Sequence, residues 1–459
     1  VILLIACYEL GHQPLSLAWP IAFLQRAGLS AQTLDLAVQP FDETLAAQAD
    51  FVAISVPMHT ALRIGLEAAR RVRQVSSKAH INFFGLYALL NQRFLLDEIA
   101  DSILGGEFES ELVELARQHT TGKRHHAQPE SLAILDSPVP PTLTRLSFPI
   151  PLRDQLPPLT QYTGYTNSNS QPQLTGYVEA SRGCLHTCHH CPIVPVYNGR
   201  FFVVPLEIVL ADIRQQVGAG ARHITFGDPD FLNGPKHSLA IARALHQEFP
   251  QVTFDFTTKV EHILQHRQLF PEFASLGCTF VVSAIESTSD YVLQQLHKGH
   301  TAADIDESLN ILDAAGIALQ PTLVAFTPWT TLDDYVNQIE WIHERGLKEY
   351  IPPIQLSIRL LIPPGSVILT HPDTEQWLGA LEPESFSFRW SHPDPRMDEF
   401  HRRVSSIVEQ ATSAKEPADV THASIRLSAY AISGRTPPPL PNANRSRLSP
   451  PRLTEDWFC

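Results

Sequence analysis

The amino-acid sequence predicts an α/β chain in three parts: an N-terminal doubly wound domain, a partial (β/α)6 barrel and a small C-terminal extension. Two observations predict it. Short apolar runs alternate with stretches of helical period in two separate series, and such alternation builds parallel sheets covered by helices. Between the series stands a stretch rich in Pro, Ser, Thr and Asn, the composition of a linker. The expected parts are the first domain at 1–122, the linker at 123–172, the barrel at 173–366 and the extension at 367–459.

In the first series, the apolar run 1–8 reads as a buried strand. The loop Gly11-His12-Gln13-Pro14 and a helix at 15–27, stopped by Gly28, follow it. Further strands are expected at 31–38, 51–56 and 81–85, with helices at 42–49 and 61–75. A closing helix at 111–119 has Ser110 placed as its N-cap. Ligands on doubly wound sheets sit at the carboxyl ends of strands. The loops to watch are therefore 8–14, 55–60 and 104–107.

The second series opens at Val178-Glu179-Ala180 and continues into a helix at 206–217, with Pro205 at its first turn. Strands are expected at 223–226, 252–257, 279–284, 316–325 and 354–361, with helices between them. Six such units within the span 173–366 suit an open barrel better than a closed eightfold one. Beyond 367 a helix is expected at 398–411, and the Pro-rich stretches 437–441 and 450–451 mark an irregular tail.

Charge and composition exclude several classes. The 459 residues carry 34 basic against 48 acidic side chains, a net −14. A nucleic-acid partner is not expected on that balance, because phosphate binding needs a basic footprint. No run approaches the roughly 20 apolar residues of a membrane span. The opening run lacks a basic flank and meets Glu9 too early for a signal peptide, so a cytoplasmic protein is expected. Six cysteines are too few for a disulfide scaffold, yet three of them fall within eight positions.

Those three stand in Ser181-Arg182-Gly183-Cys184-Leu185-His186-Thr187-Cys188-His189-His190-Cys191-Pro192, between the first strand and first helix of the barrel. Cys thiolates hold iron–sulfur clusters, and three of them on one loop reach three corners of a cube. One iron then stays open to an exogenous ligand. Gly183 lets the chain turn sharply off the strand. The competing reading is structural zinc, with His186, His189 or His190 as fourth ligand. No second ligand hook of the usual zinc kind is evident.

Cys184-x3-Cys188-x2-Cys191, after the first strand of a βα series, resembles the radical S-adenosylmethionine (SAM) superfamily. The resemblance spans about 173–365 and implies a [4Fe–4S] cluster on Cys184, Cys188 and Cys191, with SAM chelated at the open iron. It also implies reductive cleavage of SAM to start radical chemistry on a small-molecule or peptide substrate. The electrons would come from an external donor such as a flavodoxin or ferredoxin. His190 stands where many members carry an aromatic residue near adenine. The segment Phe226-Gly227-Asp228-Pro229-Asp230-Phe231 resembles the one that receives the SAM amino group, which puts Asp228 and Asp230 there. Glu286, in Ser283-Ala284-Ile285-Glu286-Ser287, is the candidate for a ribose or amino contact. The alternative is an iron–sulfur binding or electron-transfer protein without SAM turnover.

A doubly wound domain before such a barrel resembles the cobalamin-binding radical SAM group. That implies a Rossmann-like cobalamin-binding fold, cobalamin as a further cofactor, and methyl transfer or rearrangement as its use. Ser55 and the Gly105-Gly106 pair look like elements of the pocket for the cobalamin base, whereas the Asp-x-His-x-x-Gly motif of base-off enzymes is missing. His12 lies in the corresponding loop. A narrower similarity, carried by 179–200 and 223–233, is to a B12-type group ending in Cys-Cys-Ala-Glu-Pro or Cys-selenocysteine-Ala-Glu-Pro. The chain given ends at Cys459. The expectation is that Cys459 opens that tail and that the native chain is a selenoprotein read as stopping there.

Overall fold

The computed structural model describes residues 1–120, 138–167, 171–439 and 450–455. Cys459, and with it the tail expectation, lies outside the described residues.

The first domain is a parallel five-stranded sheet of β1 (Ile2–Ala6), β2 (Ala31–Asp35), β3 (Phe51–Ser55), β4 (His80–Phe84) and β5 (Ser102–Leu104). Its order is β2-β1-β3-β4-β5, the order of doubly wound flavodoxin-like sheets. Every residue of β1 and β3 is buried, which is why these strands read as unbroken apolar runs. Alternate residues feed two cores. Ile2, Leu4 and Ala6 pack with helices Leu15–Arg26 and Glu109–Thr120, whereas Leu3 and Ile5 pack with His59–Val75. The sequence reading has no strand at β5. Three residues are too few to show a period, and β5 is held by its pairing with β4.

The parallel strands of the barrel sheet are β7 (Gln173–Val178), β10 (His223–Phe226), β11 (Thr253–Thr257), β12 (Cys278–Glu286) and β13 (Ala318–Leu323). β6 (Gly164–Thr166) and β16 (Arg452–Leu453) extend it antiparallel. The sheet runs in the order β13-β12-β11-β10-β7-β6-β16. β8 (Ser181–Gly183) and β9 (Phe201–Val203) form a separate two-stranded ribbon bracketing the cysteine loop. The partial barrel is present, with its expected sixth strand reduced to one bridge, Phe326 with Arg359. Pro352 and Pro353 lack the N–H a ladder needs, and Pro353–Ser357 turns as a 3₁₀ helix instead.

Part of the linker composition is laid across the two sheets. Leu152 N donates to Ala18 O at 3.0 Å. Arg153 is buried and donates to both oxygens of Asp212, at 2.9 and 2.8 Å, and to Tyr177 O at 2.7 Å. In the extension, a hairpin of β14 (Leu378–Glu382) and β15 (Ser387–Trp390) precedes helices Pro395–Ala414 and Ala418–Ser433. The sequence reading names no element where the second helix stands. That helix docks on the barrel through Arg426, which pairs with Glu340 at 2.6 Å. No helix among the described residues is long and apolar enough to cross a membrane.

Candidate functional site

The cysteine loop leaves β8 at Gly183, whose φ is +75° and whose added Cβ would overlap Arg200 O and the Tyr197 ring. Backbone bonds then fix the loop at both ends. Cys184 N donates to Arg200 O at 3.0 Å, and His189 N to Leu296 O at 3.0 Å. Asn233 Oδ1 accepts from Leu185 N at 3.2 Å and lies 3.9 Å from Cys184 Sγ. Cys184 and Cys188 are buried, Cys191 is half-buried, and all three are free thiols. Burial pushes the Cys184 thiol up to about 11 and that of Cys191 to about 12, so binding of a metal must displace protons.

Cluster and zinc make different geometric demands. Thiolates on one tetrahedral zinc, with Zn–S near 2.3 Å, lie about 3.8 Å apart. Among the described residues, the ligand atoms gathered closely enough for one ion are those of His186, Asp230 and His262, and the three cysteines are not part of that group. Three thiols on one loop are the donor set of a cluster with one iron open.

The three carboxylates expected around SAM are already engaged within the chain. Asp228 is buried and accepts from Ala180 N at 2.8 Å and from Ser181 Oγ at 2.6 Å, tying β10 to the start of the cysteine segment. Burial pushes its carboxyl up to about 7 against those hydrogen bonds. Asp230 accepts from Leu232 N at 3.0 Å and Thr258 Oγ1 at 2.7 Å, with His186 and His262 beside its other oxygen. Burial alone would raise Asp230, but the two imidazoles and Thr258 outweigh it and hold it below the usual carboxylate range. Glu286 sits at an irregularity in β12 with φ +63°. Its Oε1 lies 3.0 Å from His190 Nε2 and accepts from Lys298 Nζ at 3.1 Å. Burial would raise Glu286 too; Lys298 and His190 hold it low. The structure thus brings Glu286 and His190 together beside Cys191. Asp228 faces the segment that enters the loop, and Asp230 faces His186 within it.

The two sheets face each other across a cavity of about 240 Å³ at their carboxyl ends. Ser55 and Gly106 line it, whereas a Cβ on Gly105 would meet Leu89, which is not in the lining. His12 is not in the lining either; it is buried and stacked on Tyr177 at 4.7 Å. Sequence reasoning missed the charge cluster in this wall. Arg182 meets Glu109 at 2.6 Å, Glu179 at 3.4 Å and Glu107 at 3.8 Å, with its guanidinium 4.2 Å from the Trp19 ring. Burial pushes Glu107 up to about 7 and Glu179 up to about 8. Only Arg182, two residues before the first cysteine, hinted at it.

The three cysteines thus stand on one loop after the first parallel strand of the half-barrel. Residues 178–330 match the family model of the radical SAM superfamily. The chain carries a radical SAM domain. That family implies a [4Fe–4S] cluster and SAM. The ribosomal protein uS12 methylthiotransferase RimO of Geobacter sulfurreducens is 26% identical over 200 residues, 39% of this chain and 42% of that protein. The hopanoid C-3 methylase of Methylococcus capsulatus is 22% identical over 325 residues, 69% of this chain and 62% of that protein. The chain therefore spans less than two thirds of the length of these relatives. In structure, the cobalamin-dependent radical SAM enzyme OxsB, with aqua-cobalamin bound, superposes with a TM-score of 0.71 at 14% identity, over 94% of this chain and 72% of that one. TsrM from Kitasatospora setae, a radical SAM methyltransferase with cobalamin and a [4Fe–4S] cluster bound, gives 0.57 at 16% identity, over 74% and 69%. The Rossmann-like sheet joined to a half-barrel is the fold of these cobalamin-dependent enzymes.

Proposed function

We propose that the chain is a radical SAM enzyme whose Cys184, Cys188 and Cys191 hold a [4Fe–4S] cluster with one iron open to SAM. The observation that carries this reading is the loop itself: three free thiols on one loop, just past strand β8 in a radical SAM domain. When bound and reduced, such a cluster supplies the electron that cleaves SAM to methionine and a 5′-deoxyadenosyl radical. The chain's own residues position and enclose. Gly183 and Asn233 fix the loop, and Asp228 clamps its approach to β10. Glu286, held as a carboxylate by Lys298 and His190, offers a fixed negative group beside Cys191 for the SAM amino or ribose groups. Trp19, Tyr177 and Phe108 wall the cavity between the sheets and keep water from a radical formed there. An external one-electron donor is required.

The relatives that transfer methyl or methylthio groups support a group-transfer reaction of the same class. Cobalamin would lie over the carboxyl ends of the first sheet, near Ser55 and Gly106. The cavity there, about 240 Å³, is below the roughly 300–1,000 Å³ of ordinary ligand pockets. Seating a corrin there would need the cavity walls to move apart, and the proposed cleavage of SAM does not depend on it.

The test is anaerobic reconstitution with iron and sulfide, followed by SAM and a strong reductant, with 5′-deoxyadenosine measured by chromatography. Release of 5′-deoxyadenosine in wild type and its loss in Cys188→Ala is the expected result. A brown, reducible protein that releases none would mean an electron carrier instead.

A further inference from the structure

We propose that His186, Asp230 and His262 form a second metal site, for a single divalent transition ion such as zinc or iron(II), on the outer flank of the cysteine loop. His186 belongs to that loop, Asp230 follows the end of β10, and His262 lies in helix Val260–Gln265 after β11. One ligand atom from each lies within 4.8 Å of the other two. Asp230 Oδ2 is 3.3 Å from His186 Nε2 and 2.9 Å from His262 Nδ1. Ligand atoms about 2.1 Å from a common ion lie about 3.0 Å apart at right angles and about 3.4 Å apart in a tetrahedron. Both observed separations fall at those values.

A second observation is independent of the spacing. Both ring nitrogens are buried with no hydrogen-bond partner, because their approach to Asp230 is close but poorly aligned for a hydrogen bond. His262 is only 7% exposed and Asp230 fully enclosed, so water does not satisfy these atoms from outside. Unpaired buried polar nitrogens are costly, and an ion satisfies both at once. The carboxylate is also pre-aimed. Its Oδ1 is held by Leu232 N and Thr258 Oγ1, and its Oδ2, which accepts a long 3.4 Å bond from Lys259 N, faces the two imidazoles.

Two imidazoles and one carboxylate suit zinc or iron(II) and leave further positions for water. Binding needs no redox step. As the chain stands, Lys259 Nζ donates to His186 Nδ1 at 3.2 Å, so a neutral ring carries its proton on Nε2. Binding an ion through Nε2 shifts the ring to the tautomer protonated on Nδ1, which faces Glu261 Oε2 at 3.7 Å, and Lys259 turns to its 3.2 Å contact with Glu261. His262 binds through Nδ1 and carries its proton on Nε2. An ion here would join the cysteine loop to the ends of β10 and β11, and so fix where Cys184 and Cys188 stand.

The test uses the full chain with its cluster loaded, exposed to zinc chloride and then desalted, with metals and sulfide quantified. Wild type is expected to retain about one zinc per chain beside its cluster iron. Asp230→Asn and His262→Gln should each lower retained zinc more than about tenfold per cluster iron, and His266→Gln should retain it. Because a variant could disturb the loop, cobalt(II) titration of the wild-type holoprotein gives a separate reading. Visible bands of nitrogen- and oxygen-bound cobalt, without thiolate-to-cobalt charge transfer, are expected. No retained zinc in wild type, equal zinc in His262→Gln, or a thiolate-to-cobalt band would each overturn the proposal.

Discussion

Glu286 is tied to partners 12 and 96 positions away in sequence, Lys298 and His190. The sequence could nominate the carboxylate from its motif but could not show that it neutralises a buried ammonium. Lys298 is 3% exposed, and removing one partner of a buried pair strands the other. Glu286→Ala is therefore expected to lower stability by about 3 kcal/mol in urea unfolding of the cluster-free chain; a loss under about 1 kcal/mol would mean Lys298 finds water. The cysteines were fully legible, because spacing alone places three thiols on one loop. Cys188→Ala is expected to abolish iron and sulfide incorporation. Cys278→Ala should retain both, since Cys278 lies buried in β12, remote in sequence from the loop.

At the scale of elements, alternating apolar runs gave away the parallel strands, and the failures have physical causes. β5 is too short to carry a period, the prolines at 352 and 353 undo a sixth strand, and helix Ala418–Ser433 is set by docking rather than by pattern. Gly227, just past β10, shows how closely these elements meet. A Cβ there would run into the Tyr177 ring, which is itself stacked on His12 of the first domain. Gly227→Ala should cost about 1–3 kcal/mol through overpacking and disturb the junction of the two sheets. Thermal unfolding combined with near-ultraviolet circular dichroism of Tyr177's surroundings checks it; an unchanged midpoint would contradict the packing.

The whole molecule joins two sheets through a wall that sequence left invisible, where Arg182 answers Glu107, Glu109 and Glu179. Glu179 titrates near 8 in the fold against 4.5 when free. A raised carboxyl favours the fold at low pH, and that stability is lost as pH rises through the folded value. Several buried histidines shift the opposite way, and their unfolded forms are half protonated at about pH 6.5 and nearly neutral only above about pH 7.5. Between about pH 7.5 and 8.5 the ligand-free chain should therefore lose stability as pH rises. Because the Glu179 side chain is 24% exposed, its share over that window is discounted to about 0.5 kcal/mol. Glu179→Gln should flatten the slope by that amount in urea titrations at both pH values, and an identical slope would contradict the assignment.

An open iron at the three-cysteine loop is what cleavage of SAM here requires. Electron paramagnetic resonance of the reduced, reconstituted wild-type protein, before and after SAM, reads it out. About four irons per chain and a cluster signal that changes shape when SAM is added are expected. A protein that binds zinc but no iron, or a reduced cluster whose signal SAM leaves untouched, would contradict that expectation.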